Sequence, residues 1–171
     1  AILAKPRHDE IIKSVQALGV RVLAIPDGDV AAGVQCCLPD SDIDLVYGIG
    51  GAPEGVVTAA AVNALGGDIQ ARLIPRNKVK GNTPENLKAA EKEISRCAAM
   101  NVPVNTVLKI EEIVRDDNVV FAATGITTGD LLKGVQRKGS MIFTETLLIR
   151  GRSRTIRKLA SYHDISHLTD D

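Results

Sequence analysis

The 171-residue chain is 44% hydrophobic and 25% charged, with 15 Gly and 7 Pro, which excludes a disordered, collagen-like or coiled-coil protein and fits one domain able to bury a core of its own. Lys and Arg number 21 and Asp and Glu 21, so the basic excess of a nucleic-acid or anionic-membrane protein is missing, and no apolar run nears the ~18 residues of a membrane span or follows a signal-peptide pattern. Aromatics at 2% leave no base-stacking platform, and three cysteines, two of them adjacent, do not build a disulfide framework; a cytoplasmic protein with neither a nucleic-acid nor a membrane partner is expected.

The elements read as follows along the chain. Ala1 to Ala4 resembles the end of a buried strand, and with no initiator Met the chain is expected to be a piece of a longer protein. Ile11, Ile12, Val15 and Leu18 recur at helical spacing up to Gly19. Val20 to Ile25 is a β-branched run ended by Pro26, and Asp29 caps a helix that runs to Cys37. Ile43 to Tyr47 reads as a third strand, Val56 to Leu65 as a tightly packed helix, and Ile69 to Ile74 as a fourth strand. Strands separated by helical stretches predict an α/β fold of mostly parallel βαβ units over residues 1–75. Residues 76–83 read as an exposed polar loop, and Thr83-Pro84-Glu85 opens a helix to about Met100. Val107 to Ile110 and Val119 to Ala123 are strands, and from Leu131 the pattern predicts an antiparallel meander closing the sheet. Residues 76–171 thus form a helix and a strand-rich closing region of the same unit.

In open α/β sheets, ligands bind in loops at the carboxyl ends of strands. Three such loops stand out. Lys5-Pro6-Arg7-His8 places cations before a helix start, where the macrodipole favours anions. A bound phosphate among Lys5, Arg7 and the helix N–H groups would explain them, and a solvated basic turn balanced by Asp9 and Glu10 would do so equally well. Asp27-Gly28-Asp29 is ordinary turn chemistry, or a set of carboxylates for sugar hydroxyls or a cation. Gly48 to Gly55 is the most informative, because its glycines let the backbone approach a ligand and form an anion-binding nest. It is neither a dinucleotide fingerprint, since Pro53 stands at the third glycine, nor a Walker loop. Glu54 sits beside it as an oxygen donor of the kind Mg²⁺ takes, or simply as a first-turn helix acid.

Other candidates are weaker. Arg150, Arg152 and Arg154 alternate, as on one strand face, with Arg157 and Lys158 beyond, and read as a solvated face or a subunit contact. His163 and His167, four apart, could share a helical face for a metal, but no companion ligand accompanies them. Cys36 and Cys37 read as small core residues, and no nucleophile elbow is present.

Lys5-Pro6-Arg7-His8, Ile25 to Ala32, Tyr47 to Val57, Ala123 to Thr127 and Thr144 to Arg150 together resemble the bacterial class II fructose-1,6-bisphosphatases, in order over nearly the whole chain. The resemblance implies a cytoplasmic enzyme of gluconeogenesis, dependent on a divalent metal, Mn²⁺ or Mg²⁺, that removes the 1-phosphate of fructose 1,6-bisphosphate. It implies a layered fold like the lithium-sensitive sugar phosphatases. By motif, Glu54 matches a catalytic metal ligand, Lys5, Pro6 and Arg7 a phosphate-binding segment, Asp27, Gly28 and Asp29 a sugar-binding segment, and Gly51 a further substrate contact. Family members are about twice as long, with further acidic metal ligands in an N-terminal half. The chain is therefore expected to be the C-terminal half of a homo-oligomeric enzyme, inactive without its other half as partner. A sedoheptulose 1,7-bisphosphatase or dual-specificity relative, a non-catalytic sugar-phosphate binder and a structural subunit are the alternatives.

Overall fold

The computed structural model describes residues 1–167. Helices and sheets alternate in the first half, as the α/β class requires. Strand β1 (Ile2–Leu3) is the centre of a small parallel unit. On one side it pairs in parallel with β2 (Ala24–Ile25), in the register Ile2 to Ala24 and Leu3 to Ile25. On the other side Tyr47 lies parallel to Ile2 and donates its N–H to the Ala1 carbonyl at 3.0 Å. Helix α1 (Asp9–Ala17) connects β1 to β2, and α2 (Asp29–Cys36) connects β2 to the Tyr47 segment. The chain thus adds neighbours to opposite sides of β1, which brings the carboxyl ends of three parallel segments together.

The parallel part is smaller than the sequence predicts. Of Val20 to Ile25 only Ala24–Ile25 is strand, and Ile43 to Tyr47 contributes a single bridge. Apolar β-branched composition marks a segment that suits a sheet, but a ladder exists only where a neighbour takes its N–H and C=O groups. The expected fourth strand shrinks to β3 (Ala71–Arg72), which pairs antiparallel with β4 (Val107–Leu108) and lies apart from the parallel unit. After β4 the chain turns into the short helix α6 (Ile110–Ile113), so the strand read to Ile110 ends two residues early.

Residues 76–80 also depart from expectation: Arg76–Lys80 is helix α4 rather than loop. Its partner is α5 (Pro84–Ala99), whose N-cap Thr83 side chain accepts from the Asn86 N–H. From α5, the Glu93 carboxylate accepts from the Arg76 N–H at 2.9 Å, and buried Asn86 donates to the Lys80 and Gly81 carbonyls. These side chains satisfy both ends of α4, which polar, turn-rich composition alone would leave frayed.

Helix α3 (Ala52–Leu65) carries the core. It starts four residues before the predicted Val56, with Pro53 and Glu54 in its first turn. Alanines at Ala59, Ala61 and Ala64 are fully buried, so α3 lies close to both neighbours. On one side is α2, where a methyl on Gly33 would stand 2.5 Å from the Thr58 Cγ2. On the other is an antiparallel sheet of β5 (Val120–Thr124), β6 (Gln136–Lys138), β7 (Met141–Arg150) and β8 (Thr155–Asp164). The central strand β7 pairs with β8 along all its length, and β6 and β5 share its other edge. Val34, Ala61, Ala64, Phe121, Leu132, Leu147 and Ile149 close the core between helices and sheet. The predicted C-terminal meander is this β6-β7-β8 run, but with β5 it makes a sheet of its own and does not close the parallel unit as expected, because no ladder hydrogen bonds join the two.

The arginines of the meander do not share a strand face. Arg150 ends β7, Arg152 lies in a 3-10 turn, and Arg154 takes a left-handed φ of 47° before β8. Likewise His163 belongs to β8, with its Nε2 3.0 Å from the Thr144 hydroxyl, and His167 to a following 3-10 turn, so no helix joins them. Cys36 and Cys37 are half-buried free thiols, and burial, then Cys36, pushes the Cys37 thiol up from its usual pKa. Among the described residues no helix is long and apolar enough to cross a membrane.

Candidate active site

The three loops singled out by composition follow the three parallel segments, and the structure locks them to one another. After β1, Lys5 leads into a 3-10 turn over Pro6–His8, with Pro6 at the first position, where its missing N–H costs nothing. The Lys5 ammonium reaches across to the Asp27 carboxylate of the second loop at 2.9 Å. Asp27 is largely exposed, so the pair contributes roughly 0–1 kcal/mol and leaves the ammonium open to exchange partners. Arg7 donates its Nε–H to the Ile49 carbonyl of the third loop at 2.9 Å. The rest of its guanidinium is unpaired by any carboxylate among the described residues.

In the second loop the cap differs from the sequence reading. Gly28, with φ at 89°, is the N-cap of α2, and Asp29 is the first helical residue. An L side chain is strained at that φ, whereas glycine is not. Asp29 turns its carboxylate back to its own helix end, accepting from the Val30 N–H at 3.0 Å, and toward the third loop. There, a methyl built on Gly50 would stand 2.5 Å from Asp29 Oδ2, and one on Gly51 would fall on the Glu54 carboxylate. The two glycines therefore serve close approach: they leave the space that the Asp29 and Glu54 carboxylates occupy.

Glu54 stands exposed in the first turn of α3, where the helix dipole favours an anion. One turn on, the Thr58 hydroxyl donates to the Glu54 carbonyl at 2.8 Å. Thr58, Asp29, Tyr47, Gly48, Gly50 and Gly51 line a cavity of about 120 Å³ at the carboxyl ends of the parallel segments. Pockets that enclose a small organic ligand measure roughly 300 Å³ or more, so these loops by themselves do not enclose a pocket of that size. As to a metal, Glu54 is a hard oxygen donor of the right chemistry. Among the described residues, however, no three His, Cys, Asp or Glu side chains gather to hold an ion. The donor set in this chain does not complete a Mg²⁺ or Mn²⁺ shell.

The structure thus brings Lys5, Arg7, Asp27, Asp29, Gly51 and Glu54 to one rim, with Pro6 and Gly28 shaping the turns that carry them. Sequence reasoning included His8 in the basic turn but gave it no role, and it is fully buried beneath this rim. Its Nδ1 lies 2.7 Å from the Leu3 carbonyl, its Nε2 accepts from the Ile49 N–H at 2.9 Å, and its ring meets Tyr47 edge-on at 6.1 Å. No spacing signal marks such a histidine, because both partners are backbone groups. Thr58 was missed, one helical turn from Glu54 on a stretch that reads simply as core helix. The segments around Thr124 and Thr146 pair with each other, their hydroxyls 2.8 Å apart, and do not line the cavity.

Residues 1–163 match the family profile described as bacterial fructose-1,6-bisphosphatase, glpX-encoded. The chain is 67% identical over 167 residues to the fructose-1,6-bisphosphatase class 2 of Haemophilus influenzae, covering 98% of this chain and 50% of that protein. It is 59% identical over 162 residues to the fructose-1,6-bisphosphatase 1 class 2 of Escherichia coli K12, covering 95% and 48%. With the fructose-1,6-bisphosphatase 2 class 2 of the same strain it shares 48% identity over 161 residues, covering 94% and 50%. The chain spans about half the length of the curated relatives it matches.

Proposed function

The chain belongs to the bacterial fructose-1,6-bisphosphatase family, and we propose that it provides the substrate-holding wall of an enzyme hydrolysing the 1-phosphate of fructose 1,6-bisphosphate. The observation that carries the proposal is the single rim on which a cationic turn, the Asp27 and Asp29 carboxylates and the Glu54 carboxylate meet. In this reading Arg7 grips a phosphate. Its Nε is spent on the Ile49 carbonyl, which fixes the guanidinium plane and leaves its terminal edge as a planar pair of donors. Lys5 adds a mobile point charge, exchanging Asp27 for phosphate oxygens. Asp27 and Asp29 accept from sugar hydroxyls, and Gly51 lets the backbone meet the substrate without a side chain between.

Glu54 supplies one oxygen ligand for Mn²⁺ or Mg²⁺. The chemistry that such a cation would supply is activation of a water and neutralisation of phosphoryl charge. Its remaining ligands are assigned to the part of the family's length outside these residues, which also closes the pocket over the cavity. The enzyme works in the cytoplasm, in gluconeogenesis.

The test is inorganic phosphate release from fructose 1,6-bisphosphate with Mn²⁺ or Mg²⁺, by this chain joined to the other half of the family's length. Release that stops with a chelator and in Glu54→Ala supports the proposal. Release that persists in chelator, or a Glu54→Ala protein of near-parent rate at limiting metal, overturns the assignment of Glu54. No release from the joined protein overturns the proposed reaction.

A further inference from the structure

His8 is the one histidine among the described residues that is fully buried, and both its ring nitrogens are committed to backbone groups. A carbonyl oxygen can only accept and a backbone N–H can only donate. The Leu3 carbonyl therefore places the proton on Nδ1, and the Ile49 N–H requires Nε2 bare. The ring so held joins the end of β1 to a glycine loop 41 residues further along the chain. Ile49 is also the point where that loop is anchored: its N–H goes to His8 and its carbonyl to Arg7 Nε. Gly48, Gly50 and Gly51 around it have no side chains to pack, and a glycine-rich segment loses the most conformational freedom on ordering. Without an anchor, it would not hold one shape.

We propose that His8 is a positioning residue which, as the Nδ1–H tautomer, latches the Gly48–Gly51 loop onto the Lys5–His8 turn and so fixes the distance between the Arg7 guanidinium and the loop backbone that together receive a phosphate group. The proposal rests on the sugar-bisphosphate reading of this rim. A histidine that merely filled the core would be replaceable by any side chain of its volume. A latch is replaceable only by one that presents an acceptor to the Ile49 N–H.

Two substitutions separate these roles. In His8→Gln the terminal amide oxygen can reach the Nε2 position and accept from Ile49, whereas His8→Asn places its amide near Nδ1, keeps the Leu3 contact and leaves the Ile49 N–H without a partner. The first measurement needs no variant: long-range proton–nitrogen correlation of the His8 ring in the parent chain. The Nδ1–H tautomer is expected, and the Nε2–H tautomer overturns the proposal. The second is amide exchange at Ile49, expected to stay slow in His8→Gln and to quicken about tenfold or more in His8→Asn, as loss of a buried hydrogen bond implies.

In the joined, full-length protein, KM for fructose 1,6-bisphosphate should rise on the order of tenfold in His8→Asn with kcat less affected, and stay within about threefold of the parent in His8→Gln. Equal behaviour of Gln and Asn in both exchange and KM overturns the latch. If the parent releases no phosphate from this substrate, the proposed reaction fails by itself. The His8 tautomer and the Gln–Asn difference in Ile49 exchange then still decide the latch.

Discussion

Replacing Gly51 by alanine adds one methyl group at the point where the glycine loop meets Glu54. The backbone accepts it, since φ of −72° and ψ of 150° lie in the extended region open to every residue. The space does not: the new Cβ would stand 3.0 Å from the Glu54 Cδ and closer still to its Oε2. Ordinary carbon contacts lie near 3.5–4.0 Å, so the carboxylate must retreat by roughly 0.5–1 Å or leave for another rotamer. Because it is the free end of a flexible side chain, the fold should lose under about 1 kcal/mol, the scale of an alanine at a helix N-cap. A displacement of ~1 Å in a reacting group, by contrast, costs on the order of 10² in rate. The assay is phosphate release from fructose 1,6-bisphosphate by the full-length protein over a range of Mn²⁺, with urea unfolding of the same samples. We expect near-parent stability, a rate down about a hundredfold and a higher Mn²⁺ requirement. Gly129→Ala, whose added methyl meets nothing within 4 Å, is the control and should leave the rate unchanged. A Gly51→Ala protein with parent activity at limiting Mn²⁺ would refute the reasoning, for it would show that the carboxylate does not work from its place beside Gly51.

Three further outcomes are expected. Arg7→Lys keeps the charge but loses the planar fork and the Nε bond to Ile49, so KM for the bisphosphate should rise about tenfold; an unchanged KM would make the turn purely structural. Ile149→Ala, at a fully buried position in the core cluster, should lower unfolding stability by about 2–5 kcal/mol in urea titrations, and a loss below ~1 kcal/mol would contradict the packing described. Hydrogen bonds from the Ser166 side chain and N–H, and from Ser140, hold the Asp164 carboxyl below the usual carboxylate pKa. A carboxyl depressed on folding stabilises fully above its unfolded value of ~3.9 and loses that contribution as pH falls through the folded value. The turn at 165–167 should therefore loosen only below about pH 4, and NMR titration of Asp164 at or above that value would contradict the contacts.

Much of the helical framework and the site loops was legible in the chain because their causes are local. Helical spacing of apolar residues marked α1, Pro84 after Thr83 marked the start of α5, and Gly66-Gly67 marked the end of α3. The loops at Lys5, Asp27 and Gly48 were visible because charge before a helix and clustered glycine are unusual compositions, whatever surrounds them. The alternation of β7 and β8 about a short turn likewise follows from residues near in sequence.

What the chain order could not convey is which groups answer each other across long separations. The extent of β2, the reduction of Ile43–Tyr47 to one bridge and the antiparallel pairing of β3 with β4 depend on which neighbour supplies ladder hydrogen bonds. Helix α4 exists because Glu93 and Asn86 from the next helix satisfy its ends. The same holds at the candidate site. Residue types told that Lys5 and Arg7 could serve a phosphate, Asp29 a sugar hydroxyl or a cation, and Glu54 a hard cation. That Gly50 and Gly51 make room for two carboxylates, and that His8 ties the glycine loop to the basic turn, follows from contacts whose partners are backbone atoms and empty space. Neither leaves a mark in sequence, because every residue has a backbone and a glycine's purpose lies in the neighbour that takes the place of its side chain.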